Sequence, residues 1–210
     1  MKKLDLKREL KQFYAPRANR VEIVDVPAFQ FIMLDGRIEP GESPDKSPAF
    51  QEAIGALYGV AYTLKFMSKL REKSAIDYPV MALEGLWWGD KETFDLAHGE
   101  PASWTLMILQ PDHVTAPMFR AAVEKAAEKR PNPSLSRVRL ERFREGPCVH
   151  ALHVGPYADE PRTIARMEAF AAEQGYRFHG KHHEIYLGDP RRAKPETLKT
   201  VLRHPVKRAG

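Results

Sequence analysis

An order of elements that occurs twice constrains this 210-residue chain more than any other feature. The segment VPAFQFIMLDG, residues 26–36, is apolar, rich in β-branched and aromatic residues, and ends on an Asp-Gly turn. GPCVHALHVG, residues 146–155, matches it in length and also turns on glycine. Helical patterns follow both, with Pro48 and Pro161 near their first turns. LEGLWWGD and HEIYLGDP then each place a Glu early in a strand, and WTLMILQPDHV resembles LKTVLRHPV. Each half therefore reads strand-helix-strand-strand. A single unit of that kind leaves an apolar sheet face and a sheet edge unsatisfied, so two units pair. The expected fold is α+β: a duplicated strand-helix-strand-strand module with antiparallel sheets, pseudo-twofold symmetry and a cleft along the seam.

The boundaries follow from local signals. Residues 1–20 form a basic N-terminal arm, expected to be partly helical or peripheral, and the domain occupies 21–210, with halves about 21–133 and 134–210. Ser47-Pro48 opens a helix in which Phe50, Ile54, Leu57, Ala61 and Leu64 recur at helical spacing, reaching about Lys73. PVMALEGLWWG and SWTLMILQP read as strands joined by the charged stretch DKETFDLAHGEPA, and Thr115 and Pro117 open a helix to about Arg130. RPNPSLS breaks the chain before the strand LSRVRLERFRE; GPCVHALHVGPY is a further strand, and a helix follows from Glu160 to Gln174. HHEIYLGDP and LKTVLRHPV complete the second half as strands.

Charge and cysteine content narrow the function classes. The formal charge is +5, and the first 20 residues, with seven basic and two acidic side chains, account for all of it. A basic arm on a balanced body argues against direct nucleic-acid binding, which neutralises several phosphates at once. Cys148 is the only cysteine, so the expectation is a chain without an internal disulfide, from the cytoplasm. No stretch is apolar for long enough to cross a bilayer, and no membrane partner is expected.

The candidate site residues are carboxylates among aromatics. Glu184, between apolar residues of HHEIYLG, must be paired, protonated or reserved for a ligand, and alternation puts Tyr186 on its face. Glu84 takes the corresponding place in LEGLWWG, so two carboxylates near one cavity are expected to divide acid and base roles. Trp87, Trp88 and Trp104 are all the tryptophans; Trp88 shares parity with Glu84 and is expected in the cavity, with Trp87 in packing. Tyr58, Tyr62 and Phe66 form an i, i+4, i+8 stripe that lines the cavity or packs in the core. Adjacent His182 and His183 face opposite ways, and no HExxH spacing completes a metal site, so neither metal nor other cofactor is expected. Without a phosphate loop, a GxSxG elbow or a Cys/His pairing, covalent nucleophilic hydrolysis is not indicated either.

The tracts GPYADEPRTIARMEAF and GKHHEIYLGDPRRAKPETLKTVLRHPV, with FQEAIGALYGVAYTLK and LEGLWW, resemble the GyrI-like small-molecule-binding family. The resemblance runs from about Val21 to Val206. It implies the duplicated module of effector-binding domains in multidrug-responsive regulators, a ligand pocket with Glu184 at its base, and Tyr157 close to it. The ligand so implied is an aromatic or cationic small molecule. Some stand-alone members of the family are hydrolases that open the cyclopropane of DNA-alkylating natural products, and the resemblance implies as an alternative that this chain does the same, with a Glu as general base. Gyrase-inhibitory interaction proteins are a further branch.

Overall fold

The structure, a computed structural model, describes residues 1–89 and 102–210. The N-terminal arm contains β1 (Lys2–Lys3) and two single-turn helices, α1 (Leu6–Glu9) and α2 (Lys11–Tyr14). The first strand-helix-strand-strand stretch follows as β2 (Val21–Ile38), α3 (Pro48–Lys69), β4 (Leu83–Trp88) and β5 (Ala102–Gln110), with β3 (Ile76–Asp77) pairing β1 in parallel. After α4 (Ala116–Lys129) comes the second stretch: β6 (Arg139–Val154), α5 (Glu160–Glu173), β8 (His182–Tyr186) and β9 (Lys199–Arg208), with the short β7 (Tyr176–Phe178) before β8.

Local chemistry explains most of the boundaries. Pro48 stands at the start of α3, where its missing N–H would find no partner in any case. Phe50, Ala53, Leu57, Ala61 and Leu64 form the buried stripe of α3. Thr115 caps α4 by accepting a hydrogen bond from the Met118 amide at 3.4 Å. The helix α3 ends at Lys69, before the expected Lys73; the strand expected over LSRVRLERFRE begins only at Arg139, after a 3-10 turn at Pro133–Arg137, and runs on through GPCVHALHV as the single 16-residue strand β6. A positive φ at Gly146 lets this strand run on through Gly-Pro without a break. The loop expected over residues 90–102 lies, except for Ala102, outside the described residues.

All pairings of the large sheet are antiparallel. The strands run β6-β2-β5-β4-β8-β9, and β6 also pairs with β9, so the six strands close into a ring. The first stretch contributes β2-β5-β4 and the second β6-β9-β8; the two sets meet at β4–β8 and at β2–β6. Each of these six strands is paired on both sides over part of its length, as residues 30–33 of β2 are by β5 and β6.

Residues directly opposite each other share a face, so register defines the two sides of the ring. Leu34, Leu106, Gly85, Glu184 and Leu202 stand in one row. This outer side carries the helices: α3 packs Phe50 against Trp87 and Trp104, and α5 packs Met167 and Ala171 with Val149, Ala151 and Leu202. The next row, Asp35, Thr105, Leu86, His183 and Arg203, faces the inside of the ring. Among the described residues no helix is long and apolar enough to cross a membrane.

Candidate functional site

Between α3 and α5, over the seam of β4 and β8, lies a cleft of ≈ 2240 Å³. Its aromatic walls come from Tyr58, Tyr62, Trp87, Trp88, Tyr157 and Tyr186. The Trp87 ring stacks on Phe50 with centroids 5.5 Å apart, and its Nε1 donates to the Tyr186 hydroxyl at 3.0 Å. This bond passes over Gly85, where a Cβ would stand 2.8 Å from Trp87 Nε1 and 3.0 Å from the Tyr186 hydroxyl. Glycine is needed there because the two aromatic side chains occupy the space of a methyl group. Tyr157, in the turn just before α5, meets Tyr186 edge-on with ring centroids 6.1 Å apart. At the mouth, Lys181 Nζ stands 3.4 Å from the centroid of Trp88, a cation-π contact.

The polar part of the cleft floor is Glu184 and His182 of β8 with Glu160, the first residue of α5. Their exposures are 5 %, 8 % and 5 %. One potential ligand atom from each lies within 4.8 Å of those of the other two. His182 Nε2 is 3.3 Å from Glu184 Oε1 but lacks hydrogen-bond geometry, and neither His182 Nε2 nor Glu160 Oε1 has a hydrogen-bond partner. Among the described residues no Lys or Arg forms an ion pair with Glu160 or Glu184. Burial first, and then the charge of Glu184, push the Glu160 carboxyl well above the usual carboxylate range. The same two causes push the Tyr157 phenol up to about 12 and raise Tyr186.

Inside the ring Tyr14, Glu84, His183, Glu145 and Arg203 form one connected network, while Arg203 Nε and both ring nitrogens of His150 have no hydrogen-bond partner. Tyr14 donates to Glu84 Oε1 at 2.6 Å, and His183 Nε2 stands 3.1 Å from Glu84 Oε2. His183 Nδ1 is 3.0 Å from both oxygens of Glu145. Arg203 donates to Glu145 Oε2 at 3.1 Å and to the Phe13 carbonyl. Burial alone would raise Glu145, but the His183 and Arg203 charges hold it at about 2. His183 is raised, the Glu145 charge overcoming the effect of burial.

The two glutamates expected to share a cavity are therefore on opposite sides of the sheet. Glu184 pairs across the strands with Gly85, and Glu84, fully buried, pairs with Ile185 and faces inward. The carboxyl that does join Glu184 is Glu160. Its place in the first turn of a helix, where acidic residues are common for their effect on the helix dipole, concealed it in the sequence. His182 also belongs to the cluster, because it shares the face of Glu184 while His183 turns to the network inside. Of the aromatic candidates, Trp88 borders the cleft, and Trp87, favoured for packing, both packs and lines it. Tyr58, Tyr62, Tyr157 and Tyr186 line the cleft, whereas Phe66 is exposed outside it and Trp104 is sealed behind Phe50.

No protein of curated function matches the sequence. Among solved structures, an uncharacterized conserved protein from Listeria innocua is 43% identical, with a TM-score of 0.87 over 97% of this chain and 100% of that one. A hydrolase from Listeria innocua is 40% identical, with a TM-score of 0.83 and the same coverage. The C-terminal domain of EcmrR, 8% identical with a TM-score of 0.52 over 90% of this chain and 98% of that one, shares the fold. The sequence signature of the GyrI-like small molecule binding domain matches residues 20–207. With that match over nearly the whole chain, and a helix-flanked antiparallel sheet bearing an aromatic cleft, this protein belongs to the GyrI-like small-molecule-binding domain family.

Proposed function

We propose that the cleft takes up a flat, hydrophobic aromatic molecule bearing positive charge, with the charge resting against Glu184 and Glu160. The observation that carries this reading is a pair of buried carboxyl groups, without a Lys or Arg partner among the described residues, beneath walls of Trp and Tyr. Two carboxyls at such a distance repel when both are ionised, and a guest cation relieves that repulsion. The rings supply apolar area and cation-π attraction.

A second reading, hydrolysis, draws on the same carboxyls and on two Listeria innocua structures called hydrolases, 40% and 42% identical to this chain. The substrate would hold a cyclopropane conjugated to a carbonyl. Glu184 takes a proton from water as the water oxygen bonds to a ring carbon. The strained C–C bond breaks and its electron pair moves to the carbonyl oxygen, forming a phenolate that accepts a hydrogen bond from Tyr157 and is then protonated. Glu84, on the far face, takes no part; its expected place beside Glu184 is filled by Glu160.

One set of measurements tests both readings. Tryptophan fluorescence would follow titration with a planar N-methylacridinium and with an uncharged anthracene of the same outline. The cation is expected to bind about tenfold or more tighter, and Glu184→Gln to remove most of that preference. Equal affinities for the two probes would sink the charge-based reading. Incubation with a cyclopropanoid alkylator, followed by mass spectrometry, is expected under the second reading to show a product heavier by one water, absent with Glu184→Gln. Saturable binding without such a product rejects hydrolysis and leaves the binding reading standing.

A further inference from the structure

We propose that Glu160, His182 and Glu184 form a site for one divalent transition-metal ion of the zinc type, occupied in competition with any organic cation. The cluster draws on β8 for His182 and Glu184, which alternation places on one face, and on the start of α5 for Glu160. The sequence gives no metal spacing because the third ligand comes from a separate element and the second histidine, His183, faces away. Proximity of carboxylates would not be sufficient. Two further observations point to a ligand: His182 Nε2 and Glu160 Oε1 are each buried and each without a hydrogen-bond partner, and His182 Nε2 stands 3.3 Å from Glu184 Oε1. Unpartnered polar atoms at such burial are costly unless something fills the space between them.

Charge and geometry select the class of ion. Two carboxyl groups and one imidazole, without an ion-pairing Lys or Arg among the described residues, make a donor set for a borderline cation such as Zn²⁺ or Co²⁺. Bonds of about 2.1 Å to oxygen and nitrogen place tetrahedral ligands roughly 3.4 Å apart. The cluster spans at most 4.8 Å, so a contraction on the order of 1 Å, within reach of the Glu160 and Glu184 side-chain torsions, completes three bonds. All three residues line the cleft together with Tyr157 and Tyr186. The proposal rests on this geometry and stands apart from the identity of any organic ligand.

The test uses the full chain, freed of metal with a chelator and titrated with Zn²⁺ by calorimetry and with Co²⁺ by visible absorption. The expected result is one ion per chain, with the intense Co²⁺ bands of low coordination. His182→Ala and Glu160→Gln are each expected to weaken binding by about tenfold or more, and His179→Ala, an exposed histidine of the same cleft, to leave it unchanged. Zn²⁺ at saturation is expected to lower the affinity for N-methylacridinium. Absence of uptake by the wild-type chain, or uptake undiminished in either ligand variant, overturns the proposal. Circular dichroism melts show that the variants are folded; if His182→Ala is not, Glu160→Gln, placed on the helix and not in the sheet, decides. Should the acridinium probe fail to bind, the Zn²⁺ and Co²⁺ titrations are unaffected, so failure of the ligand reading and failure of the metal site are separable.

Discussion

Glu145 is a carboxylate buried inside the ring between the cations of His183 and Arg203, with Glu84 and Tyr14 closing the network on the far side of the imidazole. Its folded pKa of about 2 lies below the unstructured value of 4.5. A depressed carboxylate adds stability that is fully present above pH 4.5 and is lost as the pH falls towards 2. The expected loss over that window is on the order of 3 kcal/mol. Glu145→Gln is expected to be about 3–5 kcal/mol less stable at pH 7, since Arg203 then keeps its buried charge without the carboxylate it is paired with. The variant should also lack that part of the acid slope. Urea unfolding of both proteins at a series of pH values checks this, and parallel slopes would contradict it. The sequence offered little to reveal Glu145. It stands in a charged run, ERFREG, that reads as a solvated face, and only the partner strands β8 and β9 bring it an Arg and a His.

At the scale of elements, the pairing of β4 with β8 positions the cleft. One residue of register decides which side chains line it, since adjacent strand residues face opposite ways. Matching Glu84 with Glu184 treats both as early glutamates in a strand. Aligning Gly89-Asp90 with Gly188-Asp189 instead sets Gly85 against Glu184 and Trp87 against Tyr186, and that is the alignment the pairing supports. The dipeptide was the available signal. Gly85→Ala tests the consequence: its methyl group would force the Trp87–Tyr186 hydrogen bond apart. A loss of about 1–3 kcal/mol in stability is expected, with a changed near-ultraviolet tryptophan signal. Gly59→Ala in α3 is the control, because a Cβ there meets nothing within 4 Å and the helix gains about 0.5–1 kcal/mol. If both variants behave alike, the close approach at Gly85 is not what requires glycine.

For the whole molecule, the N-terminal arm is the part least foreseen. It was expected to be partly helical or peripheral; it holds two short helices, with Leu6, Phe13 and Tyr14 buried, and β1 pairs with β3. Tyr14 and the Phe13 carbonyl satisfy Glu84 and Arg203, so the arm completes the network inside the ring. Deleting residues 1–15 removes these apolar contacts and leaves a buried carboxylate and guanidinium short of partners. Burial of the Leu and Phe side chains alone is worth about 1.5–3 kcal/mol each. A truncated protein should therefore melt about 10 °C or more below the full chain. Calorimetric melts within a degree or two of each other would show the arm to be dispensable.

The chain itself determined the kinds of element, their repeated order and the special place of Glu184. Each of those is written in local pattern: alternation for strands, helical spacing for α3 and α5, turn residues between them, and an acidic residue within an apolar run. The tertiary structure alone decided that the six strands close on themselves, that Glu84 turns inward to Tyr14 and His183, and that Glu160 crosses from α5 to stand beside Glu184 and His182. These contacts join residues far apart in sequence. Strand register and helix docking fix them, and a shift of one residue in either sends a side chain to the other face.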